Sequence, residues 1–348
     1  MDGDSIRETI YYNLSGSDYE IGGTMNNFWQ DTKALVTGGT GFIGSHVVEQ
    51  LVSLGAKVTV YDRMRDGVIK NILYLKDKVQ FISGDCASEQ DALKACQGQQ
   101  VVMNLAAKVG GIEYNRTHQA TMLFDNLKIA SVMIEAARLT KVERFLVVSS
   151  ACIYPADAKI PTAESEGFLR EPEPTNGGYG WAKRMAEKLG MYYSQQYGMK
   201  VGIVRPYNAY GPRDHFDIEK SHVIPALIKR VFDGENPLRV WGSGKQTRAF
   251  LYVEDFAKGL IDAIDKYPVP DPVNIGTDEE VSIKDLVEMI VSMSGKKTKI
   301  EFDTSKPDGS PRRNSDNTKA IEKIGFRAKT KLEEGLKKTI EWYNESKK

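Results

Sequence analysis

The eight residues TGGTGFIG, Thr37 to Gly44, restrict the fold more than any other stretch of the chain. They read as G-x-G-x-x-G through Gly39, Gly41 and Gly44, and as G-x-x-G-x-x-G through Gly38, Gly41 and Gly44. An apolar strand, KALVTG, precedes them and a helical pattern from Phe42 to Leu54 follows. A second strand, KVTVYD, ends on the acidic Asp62, about 20 residues further on. Glycines here allow a tight turn, close approach of a pyrophosphate to the backbone and contact between helix and strand, while the helix N-terminus meets the phosphate charge. A lone glycine motif is weak; in this context it predicts a dinucleotide-binding βαβ unit. Gly38, Gly41 and Gly44, with the helix-opening Phe42 and Ile43, are the expected cofactor contacts.

Asp62 would accept hydrogen bonds from ribose hydroxyls and repel a 2′-phosphate, which favours NAD over NADP. Arg63 argues the other way, since its guanidinium can hold that phosphate. Asp85, after the third strand, either sits near the adenine or caps the next helix. Its neighbour Cys86 is placed beside the cofactor, with its thiol as packing.

βα alternation continues through VQFISG, SEQDALKACQ, QQVVMNLA, a long helix from Thr117 to Leu139, ERFLVVSS, a helix from about Tyr179 to Tyr197, and KVGIVRP. Continuous apolar strands separated by helices indicate a parallel sheet covered on both faces. The expected fold is α/β: a Rossmann-type doubly wound sheet with a smaller α/β substrate-binding lobe toward the C-terminus. Residues 1–30 read as an N-terminal extension, 31–206 as the NAD-binding domain with 249–275 returning to it, and 207–248 and 276–348 as the substrate lobe. Lys plus Arg and Asp plus Glu both number 47, so no bulk field draws the chain to nucleic acid or an anionic membrane, and a small-molecule partner is expected. Three irregularly spaced cysteines suit a reducing compartment and give neither a disulfide framework nor a metal site. With no apolar stretch of membrane-spanning length and no leader pattern, a cytoplasmic protein is expected.

YGWAK places Tyr179 and Lys183 at i and i+4, on one helix face. The Lys183 charge is expected to lower the tyrosine pKa and the ammonium to hold the nicotinamide ribose, so that Tyr179 exchanges a proton with a sugar hydroxyl. Ser150, at the end of the preceding strand, would bond the same oxygen. In VVSSACIYP, Cys152 follows Ser150 by two residues; read from composition alone it is a buried strand-end cysteine.

The motifs TGGTGFIGSH, NLAA, SSACIYP, YGWAK, RPYNAYGP and TRAFLYVEDFA occur in the order of the extended short-chain dehydrogenase/reductase superfamily, whose nucleotide-sugar epimerases the chain resembles from about Lys33 to Tyr343. AKVGGI, SHVIPAL and DTSKPDGSPR are similar to the GDP-L-fucose synthase family; MIEAAR, SSACIYP and RRNSDN are similar to the GDP-mannose 3,5-epimerase family. The resemblance implies that Leu105, Ala106 and Ala107 border the cofactor, and that Cys152 is one of two acid/base groups at a C4-ketone-activated sugar. The second comes from DIEKSHVIPAL, as His222 or Lys220, with His222 favoured because its ordinary pKa suits transfer in either direction. It further implies substrate contacts from Asn208, Arg248 and Arg313, a weaker one from Lys229, and ring space at Gly110 and Gly111. A homodimer through the two long helices is implied as well.

Four functions remain open. The first is an NAD-dependent GDP-hexose 3,5-epimerase with an internal redox cycle. The second is a synthase-like epimerase-reductase that uses NADPH on a 4-keto-6-deoxy sugar. Asp62 and GGTGFIG argue against it, because synthases carry Met and Val after the central glycine; DTSKPDGSPR argues for it. The others are a C4 epimerase and a non-catalytic NAD-binding sensor, the last opposed by the presence of both Tyr179 and Lys183.

Overall fold

The computed structural model describes residues 27–64, 68–217, 221–306 and 309–347. The first half alternates as β1 (Lys33–Thr37), α1 (Phe42–Ser53), β2 (Lys57–Asp62), β3 (Val79–Ser83), α2 (Glu89–Cys96), β4 (Val101–Asn104), α3 (Ile112–Thr117), α4 (Gln119–Leu139), β5 (Arg144–Val148), α5 (Gly177–Tyr197) and β6 (Lys200–Pro206). Shorter elements follow: β7 (Ala209–Tyr210), α6 (Val223–Phe232), β8 (Leu238–Trp241), β9 (Thr247–Ala249), β10 (Leu251–Tyr252), α7 (Val253–Lys266), β11 (Val273–Ile275) and β12 (Glu280–Ser282). The chain closes with α8 (Ile283–Ser294), β13 (Ile300–Asp303), β14 (Arg312–Arg313), α9 (Thr318–Ile324) and α10 (Leu332–Ser346).

Seven parallel strands form the main sheet in the order β11-β6-β5-β4-β1-β2-β3. Their unbroken apolar runs are divided between two cores by the two-residue period of a strand. Ala34 and Val36 face one side with α1 and α7, while Leu35 faces the other with α2, α4 and α5. Strand order reverses direction between β1 and β4, which opens a crevice at their C-terminal ends, where a doubly wound sheet holds its ligand. A third core, built from α6, α8, α10 and β8, supports the smaller lobe.

Two sequence expectations change. The extension was drawn to residue 30, yet Trp29 is only 2% exposed and belongs to the first core, so the chain joins the body earlier. The helix expected from Thr117 begins at Gln119, because His118 leaves helical geometry at φ −122° and ψ 39° with its ring stacked on Tyr114 at 4.1 Å. The preceding turn forms α3 instead.

A buried ion pair ties the sheet to α5. Arg205 in β6 and Glu187 in α5 are 2% and 0% exposed and bond through Nε to Oε1 at 2.9 Å and Nη2 to Oε2 at 2.7 Å. Ser149 also donates to Glu187, and Arg205 Nη1 donates to Tyr154 Oη and the Glu164 carbonyl. Tyr154 donates in turn to Asn274 in β11. Removing one member leaves a buried charge unpaired, which costs about 3–5 kcal/mol, whereas replacing both by apolar groups of similar volume is often neutral. Chemical denaturation of Arg205→Met is therefore expected to show a loss of that size, and the double variant Arg205→Met/Glu187→Leu to recover most of it.

Candidate active site

The glycine loop is a cradle that side chains would fill. Gly38 adopts φ 66°, and a Cβ on Gly44 would lie 2.1 Å from the Gly38 carbonyl oxygen. The positive φ at Gly38 calls for glycine at that position, which fits the spacing read through Gly38, Gly41 and Gly44. Gly41 is the N-cap of α1 and no side chain caps the helix, so the first-turn amides of Phe42, Ile43 and Gly44 are left for an anion. This backbone fits a dinucleotide pyrophosphate.

Residues around the cradle are held by local bonds. Thr37 Oγ1 donates to Asn104 Oδ1 at 2.8 Å and accepts the Ala106 amide at 2.9 Å, which lays the Leu105–Ala107 segment over Gly38. Asp62 Oδ2 accepts from Thr40 Oγ1 at 2.6 Å and its amide at 3.2 Å, so the carboxylate is aimed at the loop. Arg63 is exposed, and its amide donates to Asp62 Oδ1 at 2.7 Å. Asp85 bonds the Ala87 amide, and Ser88 rather than Asp85 caps α2. Cys86 is packed in the second core, where burial pushes its thiol up to about 12.

Across the crevice, α5 carries Tyr179 and Lys183. Lys183 Nζ donates to the Val148 carbonyl at 2.8 Å and lies 5.4 Å from the centroid of the Tyr179 ring. Burial pushes Lys183 down to about 8. Tyr179 is raised, first by burial and then by the charge of Cys152, so the expected lowering by Lys183 is not seen. Ser150 Oγ accepts the Cys152 amide at 3.1 Å and starts the turn that presents the thiol. Gly180 lets α5 pack against this turn, since a Cβ there would come within 2.6 Å of the Cys152 carbonyl oxygen.

The third face comes from the smaller lobe. Arg313 Nη2 donates to Glu173 Oε2 at 3.2 Å and to the Ala151 carbonyl at 3.4 Å; the charges of Cys152 and Glu173 outweigh burial and raise the guanidinium. β14 pairs with β9 so that Arg313 and Arg248 are register partners. Arg248 bonds the Thr247 and Ser310 carbonyls, and Asn208 the Ala249 carbonyl. Tyr179, Lys183, Cys152 and Arg313 thus share one electrostatic neighbourhood: a phenol, a thiol and two cations.

Other expected residues make separate contacts. Lys229 pairs with Asp233 at 2.5 Å, and Asp233 also pairs with Lys347, so Lys229 belongs to a surface ion network away from the arginines. His222 is the N-cap of α6, and its Nδ1 lies 4.0 Å from Asp214 Oδ1. Lys220 falls outside the described residues. Gly110 is needed by Tyr114, whose Cδ1 would lie 2.6 Å from a Cβ there; Gly111 is the N-cap of α3. His46 is buried against the Pro212 carbonyl and pushed down to about 4 by burial. Sequence reasoning missed Glu187, Glu173 and Asp214. For Glu187 the signal was present, as a carboxylate at i+4 from Lys183 on the same face of α5.

Among the described residues no group of three His, Cys, Asp or Glu is placed to hold a metal, and no helix is long and apolar enough to cross a membrane.

The family model described as NAD dependent epimerase/dehydratase family matches residues 34–276. A GDP-L-fucose synthase of Sinorhizobium fredii is 37% identical over 311 residues, covering 88% of this chain and 93% of that protein. A GDP-mannose 3,5-epimerase of Arabidopsis thaliana is 31% identical over 325 residues, covering 91% and 84%. Among solved structures, a UDP-glucose 4-epimerase from Thermotoga maritima with UDP-glucose superposes with a TM-score of 0.81 at 28% identity, covering 91% of this chain and 100% of that one.

Glu280 fixes the segment that delivers Arg313. Its carboxylate accepts from Arg312 Nη2 at 2.6 Å, Asn314 Nδ2 at 2.8 Å and Thr247 Oγ1 at 3.0 Å, and Arg312 foremost holds it down to about 2. A depressed carboxyl contributes stability that is present above its ordinary value, near 4.5, and lost as pH falls toward 2. Glu280→Gln is expected to cost about 1–3 kcal/mol at pH 7. Denaturation at pH 3 should find a clearly smaller difference.

Proposed function

The chain belongs to the NAD dependent epimerase/dehydratase family, and from that premise we propose that it is an NAD-dependent epimerase of a nucleotide-diphosphate sugar, of the GDP-hexose 3,5-epimerising type. The observation that carries the reading is Cys152 within electrostatic reach of Tyr179, Lys183 and Arg313. A simple C4 epimerase needs no ionisable thiol there; inversion at carbons flanking a ketone does, because one group must remove a proton and another deliver one to the opposite face.

Gly38, Gly41, Gly44 and Asp62 would hold the dinucleotide, with Lys183 on its nicotinamide ribose. Bound NAD supplies the acceptor of the C4 hydride and later its donor. Tyr179 takes the proton of the C4 hydroxyl during oxidation and returns it on reduction. The C4 ketone acidifies the hydrogens at C3 and C5. Of Cys152 and His222, one removes such a proton, leaving an enolate, and the other protonates the carbon from the far side. The proton that leaves is not the one that returns, so exchange with solvent restores both groups. Arg313 and Arg248, side by side on β14 and β9, suit the diphosphate.

NADPH-dependent reduction of a 4-keto-6-deoxy sugar is the second reading, favoured by the higher identity to synthases and by Arg63. Asp62, aimed at the glycine loop, supports NAD and the first reading. Exposed Phe124, Leu139, Tyr192 and Tyr197 on α4 and α5 support a homodimer through these helices.

Purified protein incubated with GDP-mannose in heavy water, without added cofactor, is expected to place deuterium at C3 or C5. Label only from a 4-keto-6-deoxy sugar with NADPH would support the second reading instead. Tyr179→Phe should lose turnover by about 10²–10⁴-fold. Cys152→Ala should stop label entry while absorbance near 340 nm still reports C4 oxidation; undiminished label in that variant would remove the thiol from the mechanism.

A further inference from the structure

The loop after β7, YGPRD, ends in a carboxylate that neither the cofactor site nor the arginine pair uses. Asp214 has a side chain only 1% exposed, and its Oδ1 accepts the His215 amide at 2.7 Å. Its Oδ2 is buried with no hydrogen-bond partner among the described residues. A buried acceptor left without a donor costs about 1–3 kcal/mol, so its retention calls for an account. The ring of His222 stands opposite, with Nδ1 4.0 Å from Asp214 Oδ1. His222 makes no side-chain cap bond to α6 and keeps 70% of its side chain exposed, so neither capping nor packing explains it.

The carboxylate is anchored from the cofactor helix. His46 in α1 meets the Pro212 carbonyl at 3.1 Å, and Arg213 reaches Glu49 in the same helix at 3.1 Å and Tyr74 Oη at 3.2 Å. Arg213 takes φ 69°, a left-handed conformation uncommon outside glycine, which turns the following Asp214 inward. A separation of 4.0 Å exceeds a hydrogen bond, but base pairs of this kind are often long without substrate and tighten when it binds.

We propose that Asp214 is the positioning residue of the second acid/base: it accepts Nδ1–H of His222, fixes that tautomer, and leaves Nε2 as the atom that exchanges a proton with the sugar carbon. This rests on the epimerase reading above. When Nε2 takes a proton from the carbon, the imidazolium formed is stabilised by the carboxylate, and the electron pair stays on the enolate; delivery reverses both. Among the described residues, the charged or titratable neighbours of His222 are Asp214 and His215. Burial lifts the Asp214 carboxyl to about 7, so the pair is best read at pH 8, with the carboxylate ionised.

The chain has four histidines, which two-bond proton–nitrogen correlation spectra can separate, His222 being assigned by loss of its signals in His222→Gln. At pH 8 His222 is expected to be protonated on Nδ1, and Asp214→Asn to move the proton to Nε2 while the other three rings keep their patterns. In the label assay Asp214→Asn should lower kcat for deuterium entry by about 10–100-fold with KM nearly unchanged and C4 oxidation intact, and Asp214→Glu should restore part of it. An unchanged His222 tautomer together with undiminished label entry in Asp214→Asn overturns the inference. If the unsubstituted enzyme admits no label from either sugar, the epimerase reading fails, and the tautomer comparison still decides whether the pair exists.

Discussion

The contact between Arg205 and Glu187 is what the rest of the site depends on. It lies between the last long strand of the sheet and the helix that carries Tyr179 and Lys183, and it is sealed from water. In such surroundings a single charge is intolerable and a paired one is rigid, because every alternative position of either partner loses several bonds together. Ser149 and Tyr154 hang from the same two side chains and bracket Ser150 and Cys152, so the turn that carries the thiol is located by this network. Asn274 extends it to the sheet edge and to the Thr162 and Asp316 carbonyls, joining the larger domain to the segment that presents Arg313.

Charge placement around the thiol is economical. Lys183 gives its bond to the Val148 carbonyl and Arg313 shares itself between Glu173 and the Ala151 carbonyl. Both cations are therefore immobilised by backbone or carboxylate and present their fields without closing onto Cys152. Burial disfavours the charge on each group; the opposite charges nearby offset it only in part at Lys183 and outweigh it at Arg313. An environment of this kind favours moving one proton at a time over storing several charges.

The doubly wound sheet was legible because its determinants are local: a glycine loop between strand and helix, an acid at the next strand end, and apolar runs of strand length. The placing of Tyr179 and Lys183 on one helix face, and of Ser150 just past a strand, was legible for the same reason, through spacing. What escaped was set by distant partners. Arg205 lies in KVGIVRP and reads as the end of an apolar strand, and nothing nearby says that Glu187 will meet it. The direction of the Tyr179 shift could not follow from Y-x-x-x-K, since burial and the thiol outweigh the lysine. Lys229 was drawn to the site by following SHVIPAL, yet it sits in the last turn of α6, where Asp233 claims it. Asp214 was passed over because an Asp after Pro-Arg looks like any turn residue until its burial is seen.

Arg313 reaches the turn that carries Cys152 from β14, a strand that the chain makes only after the whole parallel sheet is complete. During synthesis, then, the glycine loop and all seven strands of the sheet emerge from the ribosome before this guanidinium. The corner around Cys152 is therefore structurally complete only once the C-terminal segment has been made and folded onto the sheet.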